Sequence, residues 1–183
     1  MADRDCQKCH ENPALKSAGG VSMYVNAAEL GRSRHVRTAC VQCHTGAQPS
    51  LDRPCKTVAP KVDCSICHAA QVAQYNDSTH GQLVAKGSPD APACRDCHGT
   101  HGIMSRNEID STTYSRNVPT LCAKCHRAGQ KAAVRYTGKV VNPVEHYAES
   151  IHGKGLLESG LTVTANCADC HTAHGELPSK DTR

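Results

Sequence analysis

The sequence predicts a mainly irregular chain with short α-helices and little or no sheet, whose core comes from bound groups rather than from its own side chains. Three features of its 183 residues point that way. There is no Phe, no Trp and only 5 Tyr. The 13 Cys and 12 His far exceed average usage. Gly and Pro interrupt the chain at short intervals, as in KSAGG, GAQPS and KGSPDAP. Such a chain needs disulfides, metal ions or large organic cofactors to order it.

Twelve of the 13 cysteines fall in six copies of the pattern C-x-x-C-H. This pattern is the attachment signal for c-type haem: both thiols add to the porphyrin vinyl groups, and the histidine binds the iron. We therefore expect six haems c, held by Cys6, Cys9, Cys40, Cys43, Cys64, Cys67, Cys94, Cys97, Cys122, Cys125, Cys167 and Cys170. The expected proximal iron ligands are His10, His44, His68, His98, His126 and His171.

Zinc sites and a disulfide framework are the alternatives for these cysteines. Paired C-x-x-C motifs do join into four-ligand zinc sites. Zinc, however, does not need a histidine directly after every second cysteine. Because that histidine recurs in all six copies, the pattern favours haem over both alternatives.

The other six histidines match the number of second axial ligands that six bis-histidine haems require. We expect all of them to be distal iron ligands, with a surface or capping role for any single one as the alternative. The two internal methionines, Met23 and Met104, are expected to pack rather than to bind iron. The predicted distal ligands are His35, His80, His101, His146, His152 and His174.

Two motifs carry one of these histidines three residues after the proximal one, as in CRDCHGTHG, residues 94–102. Residues three apart on a helical turn lie on the same face, about 5–6 Å apart. The two axial ligands of one iron approach from opposite faces of the porphyrin. His98 and His101 are therefore expected to bind different haems, and so are His171 and His174.

The chain also repeats itself. YNDSTHG (75–81) and YAESIHG (147–153) both read Y-x-x-S-x-H-G, and each precedes a C-x-x-C-H-x-x-H-G segment by 12 or 13 residues. SRH (33–35) is a shorter third version. We expect one haem-centred domain over 1–183, built from three two-haem units near 1–48, 60–106 and 118–178. These units hold one, two and three spare histidines, so at least one distal histidine must serve a haem of another unit.

Regular structure is expected to be sparse. Each motif should lie at the start of a short helix or within one. Longer helices are expected over 63–75, 120–135 and 143–157. The segment KAAVRYTGKVVN (131–142) is predicted to hold a strand or a hairpin.

On these motifs the chain resembles the multihaem cytochromes c over nearly its whole length. Its segment YAESIHGKGLLESGLTVTANCADCHTAHGE is similar to segments of cytochromes from metal-reducing and anaerobically respiring bacteria. The resemblance implies a multihaem cytochrome c fold, organised around a chain of covalently bound haems. It also implies low-spin, bis-histidine haems of low potential, because methionine in place of the second histidine would raise the potential.

Haem c is attached outside the cytoplasmic membrane, so we expect a periplasmic or extracellular protein. The opening MADRDCQKCH has no basic and apolar leader, and we expect either a removed signal or a piece of a larger protein. No run of about 20 apolar residues is present, so a membrane-bound role would need a partner subunit. The formal charge of +4 does not indicate nucleic-acid binding. Six ferric haems at about −1 each would bring the total to roughly −2.

The predicted function is electron transfer, not catalysis: a relay between redox-partner proteins or extracellular acceptors. One alternative is a subunit of a polymeric conductive filament, in which one distal histidine comes from the next copy. Another is the haem subunit of a membrane quinol-oxidising or terminal reductase complex, with one five-coordinate haem. The odd cysteine, Cys55, is expected to be a buried and inert thiol, with an intermolecular disulfide as the alternative.

Overall fold

The computed structural model describes residues 3–50, 52, 55–57, 61–135 and 141–177. Within them the backbone forms short helices joined by turns, and almost no sheet. The expected fold class is therefore confirmed. The helices are α1 Asp3–His10, α2 Ala27–Arg32, α3 Cys40–Cys43, α4 Ser65–Asp77, α5 Thr79–Ala85, α6 Cys94–His98, α7 Val118–His126, α8 Lys131–Arg135, α9 Pro143–Glu149, α10 Ile151–Leu157 and α11 Cys167–His171.

The sheet of the described residues is a two-residue ribbon. Strand β1 (Ala47–Gln48) pairs antiparallel with β2 (Lys56–Thr57), with Ala47 opposite Thr57. A two-stranded ribbon of this length has little stability of its own. It serves as a connection between motifs rather than as part of a core.

The three longer predicted helices form, and two of them are interrupted. The helix expected over 63–75 is α4, Ser65–Asp77. The one expected over 120–135 divides into α7 and α8, and the one over 143–157 divides into α9 and α10. Ser150 causes the second division, because it ends α9 with extended backbone and caps α10 by accepting a hydrogen bond from the Gly153 amide at 3.0 Å.

The strand or hairpin expected over 131–142 is wrong where the structure describes it. Lys131–Arg135 is the helix α8, and residues 141–142 are not in a strand. Residues 136–140 lie outside the described residues. Val134, the β-branched residue of this segment that lies in a described element, is part of α8, so the tertiary setting overrides its preference for a strand.

The chain divides into two compact units. The first comprises Met1–Ala69 together with Thr100–Ile103. Within it, the short insert is tied in by the Arg34 amide, which donates to the Ile103 carbonyl at 2.8 Å. The second comprises Ala70–Gly99 and Met104–Arg183. How these units relate to the three predicted two-haem repeats is untested, and the repeats stay a prediction.

The apolar core is small and lies in the second unit. There α7 contacts α8, α9 and α11, and α9 packs on α10. Among the described residues the buried hydrophobic side chains are Val118, Ala123 and Leu156, the last 0 % exposed. Side chains as apolar as Ile151 and Val163 remain 80 % and 94 % exposed. An ordinary domain of 183 residues buries far more apolar surface than these described residues do.

No helix in the described part of the chain is both long enough and apolar enough to cross a bilayer.

Candidate functional site: paired histidines and C-x-x-C-H motifs

Every C-x-x-C-H motif sits on a helix that stops or bends at its histidine. The helices α1, α6, α7 and α11 end on the motif histidine itself, and α3 ends one residue before it. In α4 the helix continues, but His68 breaks it with φ −116° and ψ 42°. The helical turn thus presents the cysteines on one short segment, and the break frees the histidine to point elsewhere.

The backbone directly after the histidine is unusual in two motifs. Gly99 follows His98 with φ 78° and ψ −165°, a region that glycine occupies without strain. Thr172 follows His171 in nearly the same conformation, with φ 64° and ψ 166°. For a β-branched residue that conformation costs about 1–3 kcal/mol. The Thr172 hydroxyl offsets part of it by accepting the Gly175 amide at 3.0 Å.

The motif helices α6 and α11 are capped by an acidic residue inside the motif. Asp96 accepts a hydrogen bond from the Ala93 amide at 2.7 Å, and Asp169 accepts one from the Asn166 amide at 2.8 Å. Both carboxylates lie in the first turn, where the helix dipole also favours negative charge. Their role is therefore local: they hold a short helix in place at the position of the two thiols.

Eight histidines lie in four close ring pairs. His44 and His101 have ring centroids 6.1 Å apart, and His35 and His68 are 5.9 Å apart; both pairs belong to the first unit. In the second unit the pairs are His80 with His126 at 6.1 Å and His98 with His174 at 6.0 Å. Every pair joins one motif histidine to one histidine outside the motifs.

The spacing of these pairs suits two axial ligands of one metal ion. Metal–imidazole bonds of about 2.0–2.1 Å on either side of an ion place the two ring centroids roughly 6 Å apart. Directly stacked rings would be closer. The interplanar angles range from 19° to 80°. Axial imidazoles tolerate this range because each ring can rotate about its bond to the metal.

The pairs follow a regular rule along the sequence, with one form for each of the two kinds of segment. His35 and His80, from the S-x-H segments, each pair with the histidine of the second motif after them. His101 and His174, from the H-x-x-H segments, each pair with the histidine two motifs before their own. The structure therefore sets His101 against His44 and not against His98. In each of the four pairs, the two histidines come from two different predicted repeats.

The S-x-H-G segments place their histidines by the same contacts. Ser78 is fully buried, caps α5, and accepts the Gly81 amide at 3.1 Å. The Tyr75 hydroxyl donates to the Pro92 carbonyl at 2.7 Å, two residues before Cys94. In the second copy Tyr147 donates to the carbonyl of Ala165, two residues before Cys167, at 3.0 Å. The tyrosine thus links each histidine-bearing turn to the next motif.

Four predicted ligands have no ring contact within the described residues: His10, His146, His152 and His171. The Nδ1 atom of His10 lies 2.7 Å from the Met23 carbonyl oxygen, which leaves its Nε2 available for a metal. His146, His152 and His171 are exposed. The structure brings eight of the twelve predicted ligands together and leaves these four without a partner ring.

Three histidines of the pairs are shifted towards the form that can bind a metal. Burial lowers the pKa of His80, His101 and His126. Such a shift keeps an imidazole neutral at pH 7, and a metal ligand must be neutral at the coordinating nitrogen.

The cysteines fit covalent attachment better than zinc. All 13 are free thiols. Burial raises the pKa of Cys40 and Cys97 to about 11, whereas a hydrogen bond with Cys122 lowers the pKa of Cys167. In the part of the chain that the structure describes, no three His, Cys, Asp or Glu side chains converge on one possible ion position. Free thiols without a convergent set of further ligands agree with attachment to a porphyrin edge.

Cys55 requires a correction. The structure places it in an exposed position, with its sulfur 4.0 Å from the Ser50 carbonyl oxygen, so the expectation of a buried thiol is wrong. The flanking Pro54 and Lys56 gave no hydrophobic pattern that would have buried it.

One residue near the pairs was not found from the sequence. An oxygen of Glu176 lies 3.7 Å from the Nδ1 atom of His80, and the Thr79 amide donates to the Glu176 carbonyl at 2.8 Å. Burial raises the pKa of the Glu176 carboxyl. The only sequence signal was an acidic residue two positions after His174, and that alone does not indicate a contact 96 residues away along the chain.

Comparison with protein families matches two parts of the chain. Residues 1–69 match cytochrome c7 and related cytochromes c. Residues 80–131 match the family described as the doubled CXXCH motif. Together these ranges contain the first five motifs, and the sixth lies beyond them. No curated protein and no solved structure matches the chain significantly.

Proposed function

Because the chain belongs to the multihaem c-type cytochromes, which carry electrons, we propose that it does so through six covalently bound, bis-histidine haems c. Haem c supplies reversible one-electron chemistry at its iron. The observation that carries the proposal is the set of four ring pairs, each with one motif histidine and one histidine from elsewhere.

The chain's own residues have three tasks in this proposal. The twelve motif cysteines fix the cofactors covalently, so that none is lost. The motif histidines and their partners would bind each iron through two imidazoles. Such ligation would suit one-electron chemistry, because both protein ligands would stay in place. It therefore suits transfer, and it leaves no open position for a substrate.

The histidine count extends the proposal to all six sites. Beyond the four pairs, the proximal ligands His10 and His171 need partners, and His146 and His152 are the two histidines that remain. Twelve histidines then serve six irons. We place the protein outside the cytoplasm, where haem c is attached, with redox proteins or extracellular acceptors as its partners.

Two measurements on the purified holoprotein test this function. Mass spectrometry should show six covalent haems, and the reduced protein should bind no carbon monoxide, because every iron has two protein ligands. Fewer than six haems, or bound zinc, contradicts the cofactor proposal. Six haems with carbon monoxide on one of them would instead support a reductase with a five-coordinate site.

A filament subunit is the second candidate, and one observation favours it. His152 occupies the same Ser-capped turn in α10 that His80 occupies in α5. By the rule of the pairs, His152 should serve the second motif after it, but only one motif follows it within 1–183. That motif would have to come from outside 1–183, and in a filament the first motif of a second copy, with its His10, would supply it.

The matched variants His152→Gly and His146→Gly separate the two candidates. If copies are joined through His152, then His152→Gly should convert a polymer into single chains in light scattering, and His146→Gly should leave the polymer intact. If the parent protein is already a monomer with six saturated irons, the filament proposal fails and the relay remains.

A further inference from the structure

Glu176 stands out because it contacts a predicted iron ligand without belonging to any motif. Its Oε2 lies 3.7 Å from His80 Nδ1. The backbone fixes this approach, since the Thr79 amide, one residue before His80, donates to the Glu176 carbonyl at 2.8 Å. His80 in turn pairs with His126 at 6.1 Å. Nδ1 thus faces the carboxylate, which leaves Nε2 of His80 as the nitrogen that could bind an iron.

The Oε2 atom of Glu176 also lacks a hydrogen-bond donor within the described part of the chain. Oε2 of Glu176 is buried and has no hydrogen-bond partner among the described residues, while the side chain as a whole is 26 % exposed. A buried carboxylate oxygen without a donor is costly. An imidazole N–H at Nδ1 of His80 is a donor that could satisfy it. A shift of under 1 Å would bring the two atoms within about 2.7–3.2 Å, the usual hydrogen-bond length.

His10 gives a comparison for the hydrogen-bond partner of a predicted iron ligand. His10 directs its Nδ1 at the Met23 carbonyl, a neutral acceptor, at 2.7 Å. Metal-bound histidines usually direct the second nitrogen at a carbonyl or a carboxylate, and the carboxylate makes the ligand more basic. A more basic axial ligand stabilises the oxidised, more positive iron. His80 is thus set apart from His10 by a negative partner.

We propose that Glu176 is a positioning residue that lowers the reduction potential of the haem held between His80 and His126. This rests on the proposed function, since it requires that pair to bind a haem. A haem bound there would supply a reversible one-electron couple, with the electron coming from an external donor and no bond made or broken. The carboxylate opposes reduction by its charge and by its closeness to Nδ1 of His80. Electrons would therefore reside less at this haem than they would without the carboxylate.

The test is a spectroelectrochemical titration of the holoprotein at pH 8 with redox mediators. Glu176→Gln should raise one of the six potentials. The expected size is about a tenfold change in the reduced-to-oxidised ratio of that haem, equal to 59 mV for a one-electron couple. Glu176→Asp, which keeps the charge, should return most of the shift. The exposed Glu158→Gln, which removes the same charge elsewhere, should leave every potential unchanged.

A double-mutant cycle shows whether Glu176 acts through His80. His80→Met alone should raise the potential of this haem. If the carboxylate acts through Nδ1, then Glu176→Gln should add little in the His80→Met protein, because Met has no N–H to orient. Fully additive shifts would show a distant charge effect and overturn the proposed contact.

The outcomes also distinguish a failure of this inference from a failure of the proposed electron-transfer function. Six haems with unchanged potentials in Glu176→Gln overturn the role of Glu176 and leave the relay standing. Fewer than six haems in the parent protein overturn the proposed function first. An equal shift in all six potentials would mean a general structural effect, and it too contradicts the proposal.

Discussion

Gly81 offers the sharpest test of how the structure places an iron ligand. It follows His80 in the first turn of α5, where Ser78 caps the helix. A Cβ added at Gly81 would overlap the carbonyl oxygen of Tyr75 and press on the backbone of Asn76. The end of α4 and the start of α5 can approach this closely only because no side chain is present. Gly81→Ala should therefore push the turn that carries His80 away from its position.

The size of the effect follows from two opposing contributions. In an open helix, replacing Gly by Ala stabilises by about 1 kcal/mol. Forcing extra atoms into a packed site costs about 1–3 kcal/mol. The atoms that obstruct Gly81 belong to the backbone, so no change of rotamer relieves the overlap, and a net loss of about 2 kcal/mol is expected. For a chain of this length that lowers the melting temperature by roughly 4–8 °C.

Gly31→Ala is the matched control, because Gly31 lies in α2 with no atom within 4 Å of an added Cβ. Denaturant unfolding, followed by haem absorbance, should show Gly31→Ala unchanged or slightly stabilised and Gly81→Ala destabilised. The reduced Gly81→Ala protein should also bind carbon monoxide at one haem, because His80 is displaced. Equal stability of the two variants would refute the overlap, and with it the account of why glycine follows this histidine.

Three further variants test single features of the site. Cys55→Ser should keep six haems by mass spectrometry and the parent spectrum, because Cys55 belongs to no motif; a lost haem would show that the cysteines are wrongly grouped. His101→Met should keep all haems attached and raise one potential, that of the haem next to His44; an unchanged titration would mean that His101 is not a ligand. Thr172→Gly should relieve about 1–3 kcal/mol of backbone strain and lose about 1 kcal/mol of hydrogen bonding to Gly175. Its denaturant midpoint should therefore rise, and a fall would count against the strain.

The sequence was sufficient for the family and the fold class, because the signals are local. C-x-x-C-H is a contiguous pattern, and its chemistry requires that spacing. The short helices follow from the frequent Gly and Pro. The helix boundaries were predicted less accurately where one residue is both the C-cap of one helix and the N-cap of the next. Ser150 both ends α9 and begins α10, and the periodicity around it reads as one continuous helix.

The pairing of ligands could not be read from the sequence, because it depends on contacts far apart along the chain. Each H-x-x-H spacing predicts only that its two histidines bind different irons. Which ring His101 approaches, that of His44, is decided by the fold that carries Thr100–Ile103 into the first unit. Glu176 was missed for the same reason, since its partner His80 lies in another segment.

The large sequence separation within these pairs would also explain how a protein with so small an apolar core can be stable. His35 and His68 are 33 residues apart, and His98 and His174 are 76 apart. A covalent cross-link that closes a loop of this size stabilises a protein by about 3–5 kcal/mol. A haem that is attached at its motif and coordinated by a distant histidine forms a cross-link of this kind. If the coordinate bond persists on unfolding, it restricts the unfolded chain; if it breaks, its binding free energy adds to the stability of the fold. In either case, if the pairs bind haem as proposed, the same histidines would serve electron transfer and stabilise the fold, so a variant that removes one should alter potential and stability together.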